Sequence, residues 1–116
     1  MPSRDLIYVL DILNAACLVQ SFTREVDKIT FEQDLMLQSA VIRQIEVMGE
    51  ATKRLSPSFR ASHPEIPWRK IAGMRDILIH AYDRIDLDEI WITTQVSIPD
   101  VIPLLEQIVP LDQEFR

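Results

Sequence analysis

Only two glycines, Gly49 and Gly73, interrupt a chain of 116 residues. Tight hairpin turns lean on glycine, so so poor a supply favours helices over turn-rich sheet. The apolar share of 47% is enough for a buried core. The length suits one compact domain and is too short for two. Apolar residues also recur at helical spacing. Leu6, Leu10, Leu13 and Cys17 stripe a first helix from near Pro2 to about Phe22. Cys17 reads there as a small buried apolar residue, and a single cysteine leaves no internal disulfide.

Residues 23–29 are polar and read as a connection, and Thr30 with Gln33 fits a capping box for the next helix. Leu37, Val41, Ile45, Met48 and Leu55 then hold a helical period. The other face carries Arg43, Glu46, Glu50, Lys53 and Arg54, with Glu50 and Arg54 spaced to pair at i,i+4. Glu46 and Glu50 resemble a carboxylate pair, but the cations beside them favour a structural role. Ser56-Pro57 ends that helix or starts a short one, and His63-Pro64-Glu65-Ile66-Pro67 is a rigid connector. Pro67 is placed to open a third helix through Tyr82. Asp86 and Glu89 repeat the capping-box pattern and start a helix to about Ile98; Pro99 and Pro103 then permit a final short helix. The expectation is an all-α antiparallel bundle of four to five helices over residues 1–110, with an unpatterned tail, 111–116. Trp68 and Trp91 read as packing anchors.

No basic-then-apolar leader is seen, and no uninterrupted apolar run approaches the roughly 18 residues that span a bilayer. A cytoplasmic protein without membrane contact is expected. The net charge of −6 argues against a general nucleic-acid coat protein. Between residues 53 and 75, however, Lys53, Arg54, Arg60, Arg69, Lys70 and Arg75 stand against Glu65 alone. That basic segment leads directly into Arg75-Asp76-Ile77-Leu78-Ile79-His80-Ala81-Tyr82.

This stretch combines three groups suited to phosphodiester chemistry. Arginine grips phosphate with a permanent planar cation, and histidine exchanges protons near neutral pH. At about 100° per residue, Tyr82 returns to the stripe of Arg75, whereas His80 lies roughly 140° away, beside Asp76. Asp76, at i−4, is placed to hold the His80 imidazole in one tautomer. Because Arg75 and His80 diverge, a tight site is easier to build with a second copy of the helix across a twofold axis. An Arg five residues before a His is weak by itself; the Tyr two residues later sharpens it.

Arg75-x4-His80-x-Tyr82 resembles the signature of the HEPN superfamily, most closely its HepT-like toxins. Ile45-Glu46-Val47-Met48-Gly49-Glu50-Ala51, His63-Pro64-Glu65-Ile66-Pro67-Trp68, Ile71-Ala72-Gly73-Met74, Asp88-Glu89-Ile90-Trp91 and Pro99 support it, from about residue 30 to 110. The resemblance implies a helical bundle that dimerises through the motif helix, and a metal-independent endoribonuclease. In that reading Arg75 and His80 are catalytic: Arg75 neutralises the scissile phosphate, and His80 moves a proton at the 2′-hydroxyl or the leaving 5′-oxygen. The products are a cyclic phosphate and a 5′-hydroxyl. Asp76 supports, and Lys53, Arg54, Arg69 and Lys70 are candidate RNA contacts. The implied partners are RNA and a minimal nucleotidyltransferase (MNT) antitoxin that transfers AMP to Tyr82, placing a bulky anion on the stripe of Arg75. The alternative is a non-catalytic HEPN module that binds RNA or nucleotide, or protects against its partner.

Other residues offer less. His63 reads as part of the connector. Two histidines, one cysteine and no clustered spacing do not suggest zinc, and no Gly-rich phosphate loop is present. Neither metal nor cofactor is expected.

Overall fold

The computed structural model describes residues 4–80 and 86–109, and all secondary structure among them is helical. In order, these are α1 (Arg4–Thr23), α2 (Lys28–Gln33), α3 (Leu35–Lys53), α4 (Pro57–Ser62), α5 (Trp68–His80), α6 (Leu87–Ile92) and α7 (Ile98–Ile108). A π-helical turn, Thr93–Ser97, joins α6 to α7 without a break. The bundle thus has three long single helices and one composite helical rod, with α2 and α4 as short connecting turns. α3 packs against both α1 and α5, and α1 also meets α7.

The core is built from one face of each long helix. Val41, Ile45 and Met48 of α3 are buried, as expected, and Leu55 just beyond joins them. From α5 come Trp68, Ile71 and Met74, and from α7 come Ile98, Val101, Ile102 and Leu105. Both tryptophans anchor packing. Trp68 Nε1–H donates to the carbonyls of Arg60 (3.2 Å) and His63 (3.0 Å), while Trp91 lies against Phe31 with ring centres 5.3 Å apart.

Several sequence expectations are corrected. The buried face of α1 runs through Val9, Leu10, Ile12, Leu13, Ala16 and Val19, and Cys17 is exposed. Leu10 and Leu13 of the expected stripe are buried, and Leu6 is half-buried. The helix has apolar residues on more than one side, Ile7 and Leu18 being exposed too, so the stripe ran along the edge of the face and left it at Cys17. By length and composition α1 is also apolar enough to cross a membrane, with a mean hydropathy of 1.6; here its apolar face packs on α3 and α7.

The Thr30–Gln33 capping box does not form. Asp27 and Asp34 take the N-caps, accepting from Thr30 N–H (2.8 Å) and Leu37 N–H (3.0 Å), so Thr30 lies inside a short helix. Asp86 does cap α6, accepting from the N–H groups of Asp88 and Glu89. The break expected near Pro99 is absent. The wider turn of Thr93–Ser97 relaxes the hydrogen-bond ladder just where Pro99 lacks an N–H, and the rod continues through Pro103 to Ile108.

One long-range contact fixes the antiparallel pairing of α1 with α3. Asp5, in the first turn of α1, accepts from Ser56 N–H (2.8 Å) and from the Ser56 hydroxyl (2.7 Å), just past the end of α3. Ser56 in turn caps α4 at Phe59. Asp5→Ala strands a partly buried N–H and loosens the cap, which costs about 1–3 kcal/mol. We expect the thermal midpoint to fall by roughly 4 °C or more; an unchanged melt would show that water replaces the carboxylate at no cost.

Candidate functional site

α3 and α5 approach each other very closely at one point. A Cβ built on Gly49 would lie 2.5 Å from the Cβ of Arg75 and 3.4 Å from the Ala72 carbonyl oxygen. Only glycine lets the Arg75 stem lie against the α3 backbone. Arg75 stands at the edge of the buried Ile71–Met74 face of its helix, so its stem is packed while its head reaches out. The Arg75 side chain remains 31% exposed and its guanidinium enters an open cleft of about 390 Å³.

α3 forms the floor of that cleft. Arg43, Glu46, Val47, Glu50, Ala51 and Arg54 line one side of it over three turns, with Tyr8 and Asp11 of α1 on one flank and Arg75 of α5 on the other. Glu50 is central to the charge pattern. Its Oε1 lies 3.4 Å from Arg54 Nε, and its Oε2 lies 3.7 Å from Arg75 Nη1. The expected Glu50–Arg54 pair is therefore present, and it extends to the motif arginine. The Arg54 pKa is raised, first by a hydrogen bond with Tyr8 and then by Glu50.

The other candidate residues fall in different places. Asp76 pairs with Lys53 across the same helix contact at 3.4 Å, a partner that the i−4 relation to His80 did not suggest. Backbone helix continues through His80, which keeps it roughly 140° from Arg75 about the axis; its side chain lies outside the described ones. Tyr82 and the 111–116 tail also lie outside the described residues. Arg69 and Lys70 are exposed in the first turn of α5. Lys70 lines a separate small depression facing α7, with Ile71, Met74, Asp100 and Leu104. The basic segment thus divides: Arg54 joins Arg75 in the cleft, Lys53 flanks it, and Lys70 looks elsewhere.

His63 stays in the connector, its ring 4.7 Å from that of Phe59 and its Nδ1 3.4 Å from Glu65. Among the described residues no group of three His, Cys, Asp or Glu side chains converges as a metal would require. Tyr8 and Asp11 were missed as cleft residues. They come from a distant helix without a local motif, and only the α1–α3 packing brings them in.

The family model described as "Ribonuclease HepT-like" matches residues 12–108. "Probable ribonuclease HepT" of Thermococcus cleftensis is 44% identical over 101 residues, covering 87% of this chain and 92% of that protein. A Methanocaldococcus jannaschii protein provisionally named an RNase is 37% identical over 110 residues, 94% of this chain and 95% of its own. Another so named, from Caldanaerobacter subterraneus, is 41% identical over 78 residues, 67% and 70% of the two chains. No solved structure matches the chain significantly.

The two glycines make opposite predictions. Gly73 has nothing within 4 Å of an added Cβ, so Gly73→Ala should stabilise its helix by about 0.5–1 kcal/mol. Gly49→Ala should instead lose roughly 1–3 kcal/mol as α3 and α5 are forced apart. Denaturant melts of both variants test this, and stabilisation by both would disprove the close approach.

Proposed function

The chain belongs to the HepT-like ribonuclease family, and from that premise we propose that it is an endoribonuclease that cleaves RNA without a metal ion. The observation that carries this reading is Arg75, packed at its stem by Gly49 and presented at its head in an open cleft beside Arg54. Such a pre-positioned cation neutralises charge developing on a scissile phosphate. His80, one and a half turns further along the same helix, is the proton-transfer group. It takes the 2′-hydroxyl proton as that oxygen attacks phosphorus, or gives one to the departing 5′-oxygen, leaving a cyclic phosphate and a 5′-hydroxyl. Lys53, Arg54 and Arg69 contact the RNA backbone, and Asp76 supports the motif through Lys53. Lys70 faces α7 and contributes less.

The active form in this reading is a homodimer. Arg75 and His80 diverge on one helix, and a second motif helix across a twofold axis brings the missing group to each. The chain acts in the cytoplasm as the toxic member of a pair. An MNT nucleotidyltransferase partner silences it by adding AMP to Tyr82, which puts bulk and negative charge on the Arg75 stripe.

Purified protein in EDTA should cleave RNA to cyclic-phosphate ends. Arg75→Ala and His80→Ala should each lose about 10²–10³-fold. If the wild type leaves RNA intact, or His80→Ala cleaves as fast, the chain is instead a non-catalytic RNA- or nucleotide-binding module. Mixing the two inactive variants tests the dimer. Sites shared across the twofold axis should regain about a quarter of wild-type activity, one site in half of the dimers; sites complete within one chain regain none. Co-expression with an MNT-type nucleotidyltransferase should add AMP-sized mass increments that Tyr82→Phe abolishes, and their persistence in that variant removes Tyr82 as the target.

A further inference from the structure

Glu50 stands between the two cations of the cleft and gives one carboxylate oxygen to each, at 3.4 Å from Arg54 and 3.7 Å from Arg75. Both contacts are long beside the roughly 2.7–2.9 Å of a tight charge-assisted hydrogen bond. The Glu50 side chain is 47% exposed, so its carboxylate can turn out to water. Each arginine also has a second anchor. Arg54 is placed by its backbone, which caps α3 through the carbonyls of Ala51 and Thr52 beside Tyr8 of α1, and the Arg75 stem is fixed against Gly49. Removing Glu50 therefore leaves both guanidinium groups near their present positions.

A carboxylate and a phosphodiester share one plan at such a place: two oxygens sharing negative charge, each facing an N–H donor. We propose that Arg54 and Arg75 form a two-cation phosphate site, and that Glu50 occupies it in the free protein as a tethered substitute which the RNA backbone displaces. The RNA arm of this proposal rests on the ribonuclease reading; the phosphate site itself does not. Entry of phosphate while Glu50 stays would place like charges together, so binding and Glu50 release are coupled. The tethered carboxylate also sets a threshold. A single weakly held anion competes poorly with a group that is always present, whereas a polyanion brings many phosphates to the same cleft. Glu50 is thus a positioning residue that selects against isolated small anions.

The test uses the full-length protein, inorganic phosphate as the probe, and NMR of the arginine Nε–Hε groups. In the wild type, the Arg54 and Arg75 signals should move together with one weak Kd. In Glu50→Gln, the same two signals should report phosphate binding about three- to tenfold tighter, the scale set by releasing two exposed ion pairs. In Arg54→Gln, phosphate binding should weaken, and adding Glu50→Gln to it should recover less than it does alone, because one released cation is missing. A merely repulsive Glu50 would give the same gain with or without Arg54. Phosphate binding in Glu50→Gln within twofold of wild type, independent movement of the two signals, or an equal gain in the Arg54→Gln background each overturns the proposal. Thermal melts of each variant confirm folding, and Glu50→Asp, too short to span both arginines, should bind phosphate between wild type and Glu50→Gln. RNA cleavage is not read here, so a protein that behaves as expected yet cleaves no RNA defeats the ribonuclease reading alone.

Discussion

The candidate site depends on a contact with no polar group in it: the backbone of α3 at Gly49 lying against the Cβ of Arg75. A guanidinium on a free side chain samples many rotamers, and ordering it at a phosphate costs entropy. Packing the stem against a neighbouring helix removes much of that freedom before any ligand arrives. It also brings α3 and α5 close enough for their side chains to pair twice, Glu50 with Arg75 and Lys53 with Asp76. The sign reverses between the two pairs: α3 supplies the anion in one and the cation in the other. Such crossed pairing resists sliding of one helix along the other, since a shift of one turn would set like charges side by side.

These ion pairs are exposed, and each contributes at most about 1 kcal/mol. Their importance lies in placement. The chain is acidic overall, with a net charge of −6, and Asp11, Glu46 and Glu50 all line the cleft that holds its key arginines. The local field around Arg75 is therefore mixed, unlike the uniform basic groove of a general nucleic-acid binder. A phosphate ligand entering such a cleft would meet cations at defined positions rather than a long-range attractive field.

Much of the fold was legible in the sequence, unevenly and for physical reasons. The α3 face was clear because Val41, Ile45 and Met48 repeat on a helix whose other side is charged. The α1 face was only partly legible: Leu10 and Leu13 are buried as expected and Cys17 is not, because apolar residues surround that helix and no periodic contrast separates Val9 from Ile7 or Cys17. Thr30 looked like a cap because the pattern is local, but Asp27 and Asp34 on either side bind the free N–H groups instead. The motif arginine was plain from the spacing of Arg75, His80 and Tyr82. Its neighbours were not: Tyr8, Asp11 and the Lys53–Asp76 pair exist only through tertiary packing, which no short-range spacing encodes.

The π turn at Thr93–Ser97 has a consequence for how the last rod is read by the rest of the bundle. One extra residue within a turn advances everything beyond it by about 100° around the axis. α6 can therefore bury Ile90 and set Trp91 against Phe31 of α2 while α7 buries Ile98, Val101 and Leu105 and packs on α1, on a single unbroken helix. The turn works as a phase shifter between two hydrophobic faces that would otherwise fall out of step. A family member lacking that one residue would need to rotate its whole C-terminal apolar face, and its bundle could not close on α1 in the same way.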